Sequence, residues 1–469
     1  MHRVLYSDDY GTTWTDVSTG FSALPVNKIV YLRGSNDVLF AGTDVGVYRW
    51  NKDNSTWECF GNGLPLCIIM DLQINYCAGK LQAVTFGRGL WETPIDDTTI
   101  HYPDPGFATI IGSSATWNSQ DRYQTGSIEV ISGATLTIDG ITLHMSRNSR
   151  IAVDKGAKLI VTNATITNNC QDCFWLGIEA WGDSTKQQNA TNQATVIIKN
   201  NSYILNANVS VANWDLTDSP TRAQACGGII QCTQTSFIDN HMAGWFNPYQ
   251  NKSPLSSHMP LRDQSFFAEC TFSIDGNYKG GTSYPFAEHL YLKGVDGIGI
   301  MGCNFRNGLQ YGRGIRAINA GFSVSNYIPL GMLCSPTSSV TCGKRSTFDG
   351  FNNGVDIEGI LDNAGPTASV ENAIFDTCTI GVYVSAYDNV STYGNTFNIG
   401  NGPNEYQVTG GGPCYENIGI YEKQSKGFHI EFNTFQGWDT SIATYGALIQ
   451  NSFPDNEYND PATVPGSYR

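Results

Sequence analysis

Basic residues are scarce in this chain. Lys and Arg number 27 against 42 Asp and Glu, a net charge of −15. No basic block is present to release counterions from a polyanion, so nucleic acid is excluded as the main partner. Charged residues of both signs make up only 15% of the sequence, while Gly numbers 50. Helical proteins run the other way, because Gly weakens helices and Glu, Lys and Ala build them. Long apolar runs are missing too, and no stretch approaches bilayer length. The start, Met1-His2-Arg3-Val4-Leu5-Tyr6, has no signal-peptide core. It enters a repeat directly, so the natural N-terminus is expected to lie elsewhere. Zinc spacing is lacking: Cys170 and Cys173 form a lone CxxC with no second pair or His pair at ligand distance. No metal site or cofactor is expected, with Ca²⁺ the one ion that outward carboxylates would suit.

What is abundant is Asn, Thr, Ser and Gly between short apolar runs, the texture of an all-β chain with many turns. One phrase recurs: a small or polar residue, a variable one, then Phe. It appears as Cys270-Thr271-Phe272, Cys303-Asn304-Phe305, Asn395-Thr396-Phe397, Asn433-Thr434-Phe435 and Asn451-Ser452-Phe453, with looser copies ending at Phe237, Phe348 and Phe375. A Phe returning every roughly 20–45 residues marks a coiled repeat, in which one position of each coil stacks on the last. The rings then form a buried ladder. Cys270 and Cys303, two residues before a ladder Phe, read as stacked small hydrophobes inside the coil. Cys334 and Cys342 bracket a short loop that a disulfide would close, or leave open.

From about residue 126 the alternation of half-buried strands is visible in Ser127-Ile128-Glu129-Val130-Ile131, Gly133-Ala134-Thr135-Leu136-Thr137-Ile138 and Gly156-Ala157-Lys158-Leu159-Ile160-Val161. These phrases, with Gly381-Val382-Tyr383-Val384 leading to Phe397 and Gly419-Ile420-Tyr421 leading to Phe435, resemble the coils of pectin-lyase-like right-handed parallel β-helices. The resemblance spans residues 126–455, with 456–469 as a tail or linker.

The first segment, 1–95, contains Ser7-Asp8-Asp9-Tyr10-Gly11-Thr12-Thr13-Trp14. This resembles the Asp-box of sialidase-type and sortilin-type β-propellers. As a hairpin turn, Asp9 would bond backbone N–H groups, Gly11 would take a positive φ and Trp14 would pack back into the blade. Later phrases (Gly42-Thr43-Asp44-Val45-Gly46-Val47-Tyr48 and Gly87-Arg88-Gly89-Leu90-Trp91) look like the last blades of propellers in secreted surface proteins of the Bacteroidetes type. Only about two blades fit, fewer than a closed ring needs, so an incomplete propeller is expected. Residues 96–125, with Pro103, Pro105 and Gly106, read as a linker or N-terminal cap. The fold class expected is therefore all-β: a right-handed parallel β-helix preceded by a partial propeller.

Alternation also names the outward side chains. With Leu290, Leu292, Ile315, Val355 and Ile357 inward, Tyr291, Lys293, Arg316, Asp356 and Glu358 face out, followed by Tyr383 and Ser385, then Tyr421 and Lys423. Enzymes of the family it resembles use an outward groove beside one strand stack. Tyr291, Tyr383, Tyr421 and Lys423 are the expected ligand-binding residues, with rings for sugar faces and cations for uronates. Lys293, Arg316, Asp356 and Glu358 are the catalytic candidates. Asp356 and Glu358, about 7 Å apart on one strand, would suit an inverting pair, and Lys293 and Arg316 a lyase. The bland alternative is that outward strand positions are simply solvated. His289 beside Glu288 and His429 beside Glu431 read as surface or satisfied residues before they read as acids or bases. Polygalacturonase and pectate-lyase signatures are absent. The sequence thus supports a secreted or cell-surface protein whose rod binds glycans or spaces domains. A polysaccharide lyase or glycoside hydrolase acting on a uronate polymer is the alternative. The two separate by turnover on a polysaccharide panel.

Overall fold

The computed structural model describes residues 4–7, 11–21, 24–32, 38–51, 54–75, 78–95, 106–169, 173–216, 225–253, 261–282, 284–329, 342–360, 366–398, 418–425, 428–436, 440–445 and 457–458. Every regular element among them is a strand. Three long parallel sheets run through the C-terminal part, of twelve, eleven and twelve strands. Each takes every third strand in chain order until the last coil, which has no second-sheet strand among the described residues, so one coil contributes one strand to each sheet: a parallel β-helix. The first sheet starts at Phe107–Ile111, the second at Ala115–Trp117 and the third at Arg122–Gln124. These three form the end coil, inside the stretch read as linker or cap. At the other end Glu457–Tyr458 pairs with Thr434 and Phe435. Phe453 lies outside the described residues.

The Phe ladder sits on the third sheet. Phe237, Phe272, Phe305, Phe348, Phe375, Phe397 and Phe435 are paired in register on successive coils. Ring centroids lie 4.5–5.1 Å apart and planes within 9° of parallel. That spacing is the distance between paired strands, about 4.8 Å, so the ladder is imposed by the backbone. Toward the N-terminus the same column continues as Ile204, Ile166 and Leu143. All ten side chains belong to one continuous core.

The residue two before each rung explains the rest of the repeat. Cys270 and Cys303 are fully buried there, each with its sulfur on a backbone carbonyl. Asn395 and Asn433 hold the same place further down. Asn433 Oδ1 accepts from both Asn395 N (3.0 Å) and Asn395 Nδ2 (2.9 Å), a buried two-step ladder. The residue before that turns the chain, commonly in the left-handed region: Asn163, Asn201, Asn372 and Gly394 have φ of 49°, 56°, 53° and 63°. Asn and Gly tolerate that conformation best, hence their abundance. Gly354 has a different reason. A Cβ there would meet Phe375 at 2.7 Å, so the ladder needs a bare backbone opposite it.

The N-terminal part holds a four-stranded antiparallel sheet (Val26–Tyr31, Leu39–Thr43, Gly46–Asn51, Thr56–Cys59), a three-stranded one (Ile69–Asn75, Lys80–Thr85, Gly89–Pro94) and a short pair, Leu5–Tyr6 with Thr15–Asp16. Gly11 takes the positive φ expected of it, 87°. Trp14 does not pack into a sheet: it is 60% exposed. Its Nε1–H instead donates to Gly11 O at 3.0 Å, so the ring closes its own turn. Asp9 lies outside the described residues. Cys342 is disulfide-bonded, while Cys334, its expected partner, lies outside the described residues.

Candidate functional site

Strand alternation fixes which side chains leave the coil. On the first sheet Leu290, Leu292, Ile315, Ala317, Val355, Ile357, Val382 and Val384 point inward and are fully buried. Between them Tyr291 pairs in register with Arg316, then Asp356, Tyr383 and Tyr421. Lys293 pairs with Ile318, then Glu358, Ser385 and Lys423. The residues expected on one face are therefore adjacent on consecutive coils.

Their environments differ from expectation. Asp356 is not solvated: it is 2% exposed. Its Oδ2 accepts from Arg313 Nε and from Asn353 Nδ2, the latter at 3.0 Å. Arg313 Nη1 also lies 3.7 Å from Glu288 Oε2. Beside this group Arg316 Nε donates to Glu358 Oε1 at 3.1 Å, and its guanidinium stands 5.7 Å from the centre of the Tyr291 ring. Burial pushes the carboxyls of Asp356 and Glu288 above the usual range, against the pull of Arg313. Burial also raises the Tyr291 phenol, which Arg316 partly offsets. Burial lowers the Arg316 guanidinium, and the bond to Glu358 more than restores it. Asp356 is thus committed to Arg313 while Glu358 is committed to Arg316. The two do not form a symmetric carboxylate pair open to a substrate.

Glu288, Arg313 and Asn353 escaped the period-two reading for a local reason. His289 and Leu290 are consecutive, yet both are buried. The His289 ring packs among Phe272, Phe286, Phe305 and Phe351. The alternation slips by one residue there, which brings position 288 and its register partners Arg313 and Asn353 to the outer face. His289 itself is structural. Burial lowers its pKa to about 3, and Nε2 sits 3.2 Å from Arg306 O. His429 lies on the second sheet, 3.1 Å from Glu431 Oε1, away from this face.

The same outward column continues toward the N-terminus as Trp245, Ala212 and Glu179. Trp214 and Trp245 meet edge to face at 5.0 Å, and Trp245 and Tyr291 at 5.8 Å. On the far side of the charged group Tyr383 and Tyr421 stack at 5.4 Å, 5° from parallel. Glu179 is fully buried, held by Trp181 Nε1 (2.8 Å) and Arg150 Nη1 (3.2 Å), with Asp215 on the same Arg150 nitrogen at 3.3 Å. Burial raises Glu179 to about 7; Arg150 opposes the shift and Asp215 adds to it. Sequence reading missed this cluster because its members come from different coils: Arg150 and Asp215 are 65 residues apart.

Five polar atoms on this face are buried without a hydrogen-bond partner among the described residues. They are Glu288 Oε2, Asp356 Oδ1, Asn353 Oδ1 and the indole nitrogens of Trp214 and Trp245. Native interiors leave few such groups. No cluster of three or more His, Cys, Asp or Glu suited to a metal occurs among the described residues.

No family model and no curated protein matches the chain. Among solved structures it is similar to the periplasmic alginate epimerase AlgG, at 11% identity and a TM-score of 0.29, covering 72% of this chain and 77% of that one. It is also similar to a mannuronic acid specific polysaccharide family 6 lyase from human gut microbiota, at 11% identity and a TM-score of 0.29, covering 74% and 78%. Likenesses at that level carry no argument about the chemistry of this chain.

Proposed function

We propose that this β-helix is a polysaccharide lyase that takes a uronate-containing polymer along the outward face of its first sheet. The observation behind it is the charged network of Glu288, Arg313, Asp356, Arg316 and Glu358 outside the coil. A rod that only spaces domains gains nothing from desolvating carboxylates there, since buried ion pairs are at best weakly stabilising. Shifted carboxyls gathered on one face are common companions of chemistry. The asymmetry between Asp356 and Glu358 favours a lyase over a hydrolase.

In a β-elimination the proton beside the uronate carboxylate passes to a base. Its electron pair forms a carbon–carbon double bond, the bond to the leaving oxygen breaks, and that oxygen takes a proton. Lys293, exposed at the edge of the face, is the base in this reading. Arg316, steered by Glu358, faces the charge that develops on the carboxylate. Tyr291, beneath Arg316, supplies the proton to the leaving oxygen.

The test is incubation with a panel of uronate polymers, following the ultraviolet absorbance of the unsaturated product and the appearance of reducing ends. Both signals should rise with the wild-type protein and fall by ~10²-fold or more in Arg316→Ala. Reducing ends without the unsaturated chromophore would replace the lyase by a hydrolase. No new ends on any polymer would remove the enzyme reading.

A second reading, binding without cleavage, is favoured by the rings flanking the charged group: Trp214, Trp245 and Tyr291 on one side, Tyr383 and Tyr421 on the other. Polymer affinity that falls in Tyr383→Ala, with no turnover, is its signature. Either role fits a protein outside the cell or at its surface. We propose further that the N-terminal sheets are an incomplete Asp-box β-propeller of about two blades, since short antiparallel meanders are the blade unit. The Trp91 turn repeats the Trp14 turn: Trp91 Nε1 donates to Arg88 O at 2.9 Å.

A further inference from the structure

The two N-terminal sheets differ at one edge. In the four-stranded sheet the outer strand Thr56–Cys59 is covered by a passing segment. Trp57 N donates to Thr19 O at 2.8 Å, and Thr56 Oγ1 to the same carbonyl at 3.2 Å. Gly20 makes the approach feasible, since a Cβ there would lie 2.3 Å from Trp57 O. Phe21 then plugs the gap, buried against Trp57 at 4.7 Å and Tyr48 at 5.4 Å. The covering segment therefore has three parts: a backbone bond, a glycine and an aromatic plug.

Among the described residues, the three-stranded sheet has the strand but not the cover. Gly89–Pro94 lies at its edge, paired only with Lys80–Thr85 among the described residues. Leu90 is 63% exposed on it. An unpaired edge with Leu90 and Trp91 at its start is a template for another strand there, while Glu92 and Pro94 blunt its far end. Beside it opens a cavity of about 180 Å³, walled by Phe60, Leu64, Leu81, Ala83 and Trp91. Ala83 pairs with Trp91 and Leu81 with Thr93 along the cavity wall, and Glu92, which pairs with Gln82, contributes to its rim. Lys80 and Glu92 satisfy each other there, and the Lys80 bond holds the Glu92 carboxyl below its usual range. The Trp91 ring is fixed by its bond to Arg88 O. The cavity is smaller than the roughly 300–1,000 Å³ that holds a drug-sized ligand. One large side chain fills it.

We infer that the edge strand Gly89–Pro94 and its adjoining cavity receive an extended peptide segment by β-strand addition, with a glycine at the close approach and an aromatic side chain in the cavity. Backbone pairing would supply the affinity and the cavity the specificity. Segment 15–21, ending in Thr19-Gly20-Phe21, is the internal template for the glycine and the aromatic plug: it crosses the neighbouring edge at a turn and bonds it through Trp57 N to Thr19 O, with Phe21 in the gap. The inference is independent of the polysaccharide reading.

The probe is a fluorescein-labelled synthetic peptide of residues 15–21, titrated with the full chain and followed by anisotropy. Saturable binding is expected, weakened at least tenfold in the same peptide carrying Phe21→Ala, and weakened likewise when Ala83→Leu fills the cavity in the protein. Circular dichroism identifies an Ala83→Leu protein that fails to fold, and the comparison of the two peptides then decides alone. Absence of binding, or equal binding of the two peptides, overturns the proposal. So does a concentration-dependent dimer of the chain, seen by sedimentation, that Leu90→Lys abolishes while the peptide does not compete.

Discussion

Replacing Arg313 with methionine removes the guanidinium bonded to Asp356 and 3.7 Å from Glu288, and keeps most of the volume. The two carboxyls stay buried, at 2% and 5% exposure. Stranding a buried charge costs about 3–5 kcal/mol. The Arg313 side chain is itself 32% exposed, so solvent already shares part of the load, and a loss nearer ~2–3 kcal/mol is expected at neutral pH. The sign of the pH dependence follows from the direction of the shifts. Both carboxyls have folded values above the usual range, and Arg313 holds them down, so its removal raises them further. A carboxyl raised in the folded state contributes most below its unfolded value and loses that contribution as pH rises through the folded one. The Arg313→Met deficit should therefore shrink on acidification toward the ordinary carboxylate range, where both groups are protonated. Urea denaturation of wild type and variant at neutral and at acid pH measures it. A deficit that is the same at both pH values, or one below ~0.5 kcal/mol as for a surface pair, would refute the buried-network reasoning.

The buried rungs and carboxylates allow three further tests. Phe348→Ala should cost about 3–5 kcal/mol in urea, because it empties a rung between rings 4.6 and 4.9 Å away; a cost under 1 kcal/mol would mean the ladder is not a packed core. Gly354→Ala should cost about 1–3 kcal/mol by overpacking against Phe375, and a neutral result would contradict the close approach. Glu179, fully buried and raised to about 7, should give stability that declines as pH rises from the ordinary carboxylate range through about 7, by something on the order of 3 kcal/mol. Glu179→Gln should flatten that slope, and a slope that persists would assign it to other groups.

The Phe ladder was legible because its spacing follows from coil stacking and leaves a side chain of one type at one position. Tyr291, Arg316, Asp356, Tyr383 and Tyr421 were legible as one column because alternation holds between Leu290 and Lys293 and repeats on each coil. Alternation says which side a residue leaves the sheet, but not what lies over it, so the burial of Asp356 was hidden. It also fails where the backbone slips, as at His289, and that concealed Glu288, Arg313 and Asn353. Arg150, Glu179 and Asp215 carried no sequence signal, since coils of unequal length bring them together without a fixed interval. The Trp14 side chain misled because an indole can satisfy its N–H within its own turn and leave its ring in solvent.

The proposed function places turnover on the outward face of the first sheet and on neither of the other two. Turnover of the polymer selected by the panel should be compared in Arg316→Ala on the first sheet, His429→Ala on the second and Arg306→Ala on the third. A loss of ~10²-fold or more is expected in the first variant alone. Unchanged turnover in Arg316→Ala, with a loss in either of the others, would contradict it.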